Sequence, residues 1–488
     1  APSLSGCIEA DVSSPAARWR RSVVAAYERT GCDTPPRLAR YYRRRIAERL
    51  GRIVPARSRV LDIGCGTGAL LAGLRPSVGV GVDMRPRPLE AARRRHPHLR
   101  FIHMRGEDVA AIGDTFDYVI LCQTLGEVYD VGVLFKALQS VCHARTRVII
   151  VHYSRVWQPA LKAAEWLGVK PPGPIQNWLP SDETRRLLGL SGFDTVTQFG
   201  LTLAPVYVPV VSALLNRVVG NLPGVHHLGL NYVIVARSVD PGVIERDRPR
   251  SVSIVVPARN EAGHIEPLLK RIPQMAARQE VIFVEGGSTD DTWDRIRQVV
   301  GAYRGPLRLA CLRQPGTGKR DAVRVGFERA TGDVLMILDA DISVPPEELP
   351  AFFDALASGR GEFINGSRMV YPMAHRAMRF LNLLGNKFFG GVFTYLLHQR
   401  FRDTLCGTKV VTRGDYQRMV AGGSSLGRSD PFGDFDLLFG AARLHLKIVD
   451  MPVHYGARVY GETNISRFRH GWLLLRMCVF AARNIRFV

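Results

Sequence analysis

Apolar residues along this chain come in short runs of strand length, separated by stretches of helical period, and the pattern occurs twice. The first set comprises Val60–Ile63, Val78–Val82, Tyr118–Leu121 and Val148–Val151, and it closes near residues 231–237. Short β-branched runs alternating with helical segments predict a parallel sheet covered by helices. Ser238–Arg250 is charged, holds two prolines and has no period, so it reads as a linker. A fresh strand is expected at Val252–Val256, followed by Val281–Val284, Leu307–Cys311 and Val334–Leu338. Two complete sets predict an α/β chain of two domains, residues 1–237 and 251–488, joined by 238–250. Residues 1–55 form a polar, arginine-rich extension with a helix expected through Tyr41, Ile46 and Leu50. No apolar run approaches the ~18 residues of a membrane-spanning helix.

Composition changes this picture in two places. The eight cysteines stand singly with no CxxC pair. That excludes a zinc cage or disulfide framework on pattern and points to a reducing, cytoplasmic setting. The net charge of +22, supplied mostly by arginine, calls for an anionic partner: nucleic acid, membrane headgroups or phosphorylated substrates. Charge alone does not choose among them.

Val60–Ile63 runs into Gly64-Cys65-Gly66-Thr67-Gly68, a turn whose glycines let backbone approach a ligand closely. The spacing is GxGxG, not the GxGxxG of dinucleotide binders, and Asp62 lies just ahead of it. The second strand ends in Asp83, placed to accept from both hydroxyls of a ribose. Gly106-Glu107-Asp108 follows the third strand, where an acid can meet an adenine amino group. Over residues 40–237 these features resemble the class I methyltransferases. The resemblance implies a Rossmann-like sheet with S-adenosyl-L-methionine held by Asp62, Gly64, Gly66, Gly68, Asp83 and Asp108. A nicotinamide-binding sheet is the competing reading. The segment 121–127 lacks the Asn/Asp-Pro-Pro-Tyr signature of many amino-group methylators, which weighs against a nucleic-acid base as acceptor. His152, after the strand Val148–Val151, is a candidate general base on a sugar hydroxyl, or a satisfied structural histidine. Gln176-Asn177-Trp178 lines the acceptor pocket or packs a lid.

In the second set, Ser253–Glu261 is a strand leading into Pro257-Ala258-Arg259-Asn260-Glu261, and 283–292 carries Glu285 before Gly286-Gly287-Ser288. Leu338-Asp339-Ala340-Asp341 closes a strand with two carboxylates bracketing one residue, a pair suited to Mg²⁺ or Mn²⁺ bridging a diphosphate. Gly316–Arg320 brings Lys319 towards phosphate. The three motifs resemble family-2 glycosyltransferases of the GT-A fold. The similarity to polyprenyl-phosphate sugar synthases continues through 403–409 and on to Arg458 and Gly461. It implies a nucleotide diphosphate sugar held by Pro257, Asn260, Glu261, Glu285, Lys319 and Asp339, with the metal on Asp339 and Asp341. It also implies acceptor-side acids at Asp434 and Asp436, an acceptor phosphate near Lys409 and Arg458, and inversion by direct displacement. Glu285-Gly286 stands where the family commonly has two acids. The Gln-x-x-Arg-Trp signature of processive synthases is absent, which favours transfer of one sugar.

Beyond Glu462 no acid appears, and Arg469, Arg476 and Arg483 recur every seventh residue among Trp472, Leu475 and Phe480. A basic stripe on an apolar helix suits a membrane interface, as does 380–397. The expected protein is a bifunctional enzyme lying peripherally on the cytoplasmic face of a membrane. One domain transfers a hexose to a polyprenyl phosphate or related glycan acceptor. The other methylates an acceptor, which the same glycan can supply. The alternatives are a non-catalytic first domain that only binds S-adenosylmethionine, and a nucleic-acid methyltransferase. The second is not expected, because no recognisable nucleic-acid-binding module accompanies the charge.

Overall fold

In the computed structural model the strands sort into two sheets of seven, one in each of two units, Ala1–Ile244 and Glu245–Val488. The structure describes residues 14–30, 37–168, 176–371, 380–423, 433–456 and 467–486. Arg458, Gly461 and Glu462 lie outside them, as does the side chain of Arg469. The unit boundary falls within the segment read as a linker, but that segment is not wholly irregular. A short helix, Pro241–Arg246, occupies part of it and buries Val243.

The first sheet contains β1 (Arg59–Ile63), β2 (Val78–Asp83), β3 (Arg100–His103), β4 (Phe116–Cys122), β5 (Cys142–Tyr153), β6 (Phe193–Leu201) and β7 (Asn231–Ser238). Their order is β3-β2-β1-β4-β5-β7-β6. The expectation of a parallel sheet holds for β1 to β5 and fails at β7, which runs antiparallel to both β5 and β6. Alternation along each strand divides the core in two. Leu61, Ile63, Val119, Leu121, Val148 and Ile150 pack on one face, and Val60, Ile120, Ile149 and Val151 on the other. A sheet buried on both sides therefore reads as continuous apolar runs. The helix Arg37–Ile53 covers the second face through Tyr42, Ile46, Leu50 and Ile53. Tyr42 is buried where the sequence pointed to Tyr41, which instead packs its ring against Tyr207.

The second sheet contains β8 (Ser251–Ala258), β9 (Arg278–Glu285), β10 (Arg308–Arg313), β11 (Val334–Ile337), β12 (Phe363–Ser367), β13 (Lys409–Thr412) and β14 (Ile448–Pro452), ordered β10-β9-β8-β11-β13-β12-β14. It too is mixed, because β13 runs antiparallel between β11 and β12. In each sheet the strand order reverses beside a central strand, at β1/β4 and at β8/β11. The crevice at the carboxyl ends there is where open α/β sheets bind ligands. No described helix is long and apolar enough to cross a membrane. The helix Arg467–Ala481 is partly integral to its unit, since Leu474, Met477, Cys478 and Ala481 enter the core and Phe480 stacks on Phe439.

Candidate functional site

At the carboxyl end of β1 the chain turns through Gly64, Gly66 and Gly68, all with positive φ. Gly64 cannot be replaced, because a Cβ there would strike the side chain of Thr124. A Cβ at Gly66 would only touch Arg85, at 3.8 Å, and the Gly66 N–H donates to Asp83 Oδ2 at 2.8 Å. Both oxygens of buried Asp83 also receive the guanidinium of Arg85, each at 3.0 Å. Arg85 in turn lies 4.1 Å over the ring of Tyr27, whose hydroxyl donates to Glu127 Oε1. Trp19, on the same Pro15–Thr30 helix, donates its indole N–H to the Glu127 carbonyl at 2.9 Å. The helix thus lies across the carboxyl end of the sheet. Sequence reasoning missed Tyr27, Arg85 and Glu127. Glu127 ends the quoted 121–127 stretch, but nothing local marks it as facing Asp83.

Three carboxylates share this end of the sheet. Burial pushes Asp62 up to about 7, with repulsion from Asp83 adding to it. Burial also raises Glu127 to about 7; Tyr27 and Arg85 pull it down and Asp83 raises it further. Such a pocket favours a cationic ligand, which relieves the mutual repulsion. Asp108 stands apart: its carboxylate is held by Arg105, with Nη2 donating to Oδ1 at 2.6 Å. Its expected place beside an adenine therefore requires that pair to open. His152 is buried, its Nε2 lies 3.1 Å from the Asn177 carbonyl, and its ring meets Tyr232 edge-on. Burial lowers its pKa to about 4. A ring so enclosed is neutral near pH 7 and a weaker proton acceptor than a free imidazole.

In the second unit, β8 ends at Ala258 and the chain turns through Asn260, which has a φ of 55°. Asn260 is bracketed by Ser288 and Thr289, its N–H donating to Ser288 Oγ and its Oδ1 accepting from the Thr289 N–H. Glu285 accepts from the Ser288 N–H at 2.5 Å and faces Arg313, whose guanidinium lies over Trp293. Glu261 does not join this group. It is buried against His264 Nδ1 at 2.7 Å and acts in holding the turn.

The charged centre forms where three elements converge. Asp339 follows β11, Lys319 opens the helix Lys319–Arg329, and Asp434 opens the helix Asp434–Arg443. Lys319 Nζ lies 2.6 Å from Asp339 Oδ1. Burial would lower the Lys319 pKa, but Asp339 and Asp434 outweigh it and hold the ammonium above the usual lysine value. Burial raises Asp434, while Lys319 and Lys409 draw it down. Asp434 Oδ1 has no hydrogen-bond partner among the described residues. Gly407 closes the wall so tightly that a Cβ would collide with both Asp339 Oδ2 and Lys319 Nζ.

Asp436, expected to work beside Asp434, is instead paired with Arg320 at 2.9 Å. Lys409, expected near the acceptor phosphate, is buried and donates to the Cys406 carbonyl. The cation beside Asp403 is Arg368, bidentate at 2.7 and 2.9 Å, another residue that sequence reasoning missed. Asp341 Oδ1 caps the Ser343 N–H at 3.1 Å. Among the described residues no group of three His, Cys, Asp or Glu side chains is placed to hold a metal. Asp339 and Asp341 alone still suit Mg²⁺ or Mn²⁺, ions commonly bound through one or two carboxylates plus substrate phosphates.

Residues 37–198 match the family described as "Methyltransferase domain", and residues 253–412 match "Glycosyl transferase family 2". Among curated proteins, the undecaprenyl-phosphate 4-deoxy-4-formamido-L-arabinose transferase of Aeromonas hydrophila is 36% identical over 112 residues, 22% of this chain and 34% of that protein. The dolichol-phosphate mannosyltransferase of Pyrococcus furiosus is 33% identical over 121 residues, 24% of this chain and 33% of that protein. The chain thus spans about a third of the length of these relatives. A solved methyltransferase of Thermotoga maritima, described as a possible histamine N-methyltransferase, shares 18% identity over 45% of this chain and 97% of its own, with a TM-score of 0.35. One polypeptide thus matches a methyltransferase-domain model in its first unit and a family-2 glycosyltransferase model in its second.

Proposed function

We propose that residues 251–488 transfer a hexose from a nucleotide diphosphate sugar to a polyprenyl phosphate, and that residues 1–237 methylate the resulting glycan with S-adenosylmethionine. The observation that carries the first half is the convergence of Lys319, Asp339 and Asp434 at the carboxyl end of β11. Both curated relatives, by their names, act on a lipid-linked phosphate. Asn260, Glu285 and Ser288 line the nucleotide end, and Lys319 holds Asp339 towards the diphosphate. Asp339 and Asp341 would hold Mg²⁺ or Mn²⁺, which would supply charge neutralisation for a departing diphosphate. A phosphate monoester acceptor, with a second pKa of about 6, is largely ionised near neutrality and needs no strong base. Its oxygen displaces the diphosphate at the anomeric carbon with inversion, and Asp434 orients the acceptor.

In the first unit, the acids Asp62, Asp83 and Glu127 favour the cationic methyl donor over its neutral product, and Asp83 binds the donor's ribose once Arg85 yields. The chain docks peripherally at the cytoplasmic face. Support comes from the helix Arg467–Ala481, which exposes Trp472 (65%), Leu475 and Val479 with Arg476 on the side away from its core contacts. The test is to incubate the full chain with polyprenyl phosphate, a panel of nucleotide sugars and Mg²⁺ or Mn²⁺, and to read products by mass spectrometry. A lipid-linked monosaccharide is expected, reduced by orders of magnitude in Asp341→Asn or excess chelator. Absence of any glycosylated lipid phosphate refutes the proposal.

A further inference from the structure

The hairpin between β6 and β7 carries residues 202–230, where antiparallel neighbours are usually joined by two to five. Its helix Val211–Arg217 is built inside out. The residues it buries are Ser212 and Asn216. Ser212 Oγ donates to the Val206 carbonyl and accepts from the Val208 N–H, both at 2.7 Å. Asn216 Oδ1 accepts from the N–H groups of Leu203 and Ala204, and its Nδ2 donates to the hydroxyl of Tyr41. The apolar side chains face outward: Val206, Tyr207, Val210, Val211, Leu214 and Val218 are all exposed, Val210 by 80%. A helix of a water-facing surface has the opposite polarity. The polar bonds hold the segment in place, so this apolar face is a fixed feature of the fold.

Its surroundings say what covers it. Between Asp194 and Asp240 the chain has no acidic residue. The segment is tied through Tyr41 and Tyr207 to the arginine-rich helix Arg37–Ile53. Arg40, Arg44 and Arg52 of that helix are exposed; its one acid, Glu48, pairs with Arg44 and Arg45, and Arg52 feels the like charges of Arg45 and Arg217. A second copy of this face would set arginines against arginines.

We infer that this hairpin is a membrane-docking surface of the methyltransferase unit, seated on an anionic bilayer with its valines and leucines in the acyl boundary and its arginines among the headgroups. This surface is separate from the exposed helix of the glycosyltransferase unit. It places the methyl-transfer site beside lipid, so that a membrane-borne acceptor reaches it.

The test uses the full chain on phosphatidylcholine vesicles with and without phosphatidylglycerol. Val210→Ser/Leu214→Ser/Val218→Ser should weaken binding to anionic vesicles roughly tenfold or more. It should do so also in a chain already carrying Trp472→Ser/Leu475→Ser/Val479→Ser, with thermal unfolding unchanged because all these side chains are exposed. A polarity-sensitive fluorophore on Leu214→Cys should shift to the blue on anionic vesicles and be quenched by brominated lipid. A fluorophore that stays water-exposed while the chain binds vesicles overturns the inference. So does self-association without lipid that the triple substitution abolishes, which would make the occupant a second copy. No sugar transfer is read, so the outcome is independent of the proposed glycosyl acceptor.

Discussion

Gly407→Ala probes the charged centre of the glycosyltransferase unit with a single methyl group. The added Cβ would lie inside contact distance of Asp339 Oδ2 and Lys319 Nζ, so their 2.6 Å pair must open. The backbone tolerates the change, because the Gly407 φ is outside the left-handed region and the obstructing atoms are tips of flexible side chains. A charge-assisted hydrogen bond contributes about 1.5–3 kcal/mol. Lys319 and Asp339 are 23% and 29% exposed, so water takes up part of that, and about 1.5–2 kcal/mol is the expected loss. That corresponds to a fall of roughly 10–30-fold in nucleotide-sugar turnover. S-adenosylmethionine binding by the same preparation, measured by calorimetry, should be unchanged and reports an intact chain. Gly391→Ala, where nothing lies within 4 Å of an added Cβ, is the matched control and should keep full turnover. Full turnover by Gly407→Ala would remove the Lys319–Asp339 pair from the catalytic centre.

The methyltransferase unit should lose stability as pH rises from about 4.5 to about 7, because Glu127 and Asp62 bind protons more tightly folded than unfolded. The shifts correspond to at most about 3 kcal/mol for Glu127 and about 4 kcal/mol for Asp62. Chemical denaturation at pH 5 and 8 should show Glu127→Gln with a shallower slope and greater stability at pH 8; an unchanged slope would mean Glu127 is already ionised. Asp83→Ala should weaken S-adenosylmethionine binding by about 1.5–3 kcal/mol in calorimetry while sparing sugar transfer, since it removes the acceptor of Gly66 and strands Arg85. Equal affinity in the two proteins would take Asp83 out of the pocket.

The two-sheet plan was legible because strands buried on both faces are mostly apolar, and Val60–Ile63 and Val252–Val256 each carry a single polar residue, Asp62 and Ser253. The glycine turn was legible because Gly64 takes a backbone conformation that few other residues adopt. Asp339 and Asp341 stand out in the sequence because two acids bracketing one residue after an apolar strand add nothing to its core. Strand direction was not, since β7 and β13 look alike in either orientation and only their neighbours decide. The working partner of each charge was equally hidden. Asp434 meets Lys319 across more than a hundred residues, Arg368 pairs with Asp403 from a distant strand end, and Tyr27 reaches Glu127 from a helix with no motif. The inverted helix at 211–217 was also beyond a local reading, because which face is buried depends on where Asn216 finds backbone to bind. Local sequence determines which backbone and which chemistry a segment can supply. Burial and long-range pairing, which shift Glu127 and enclose His152, exist only once distant segments share one low-dielectric interior.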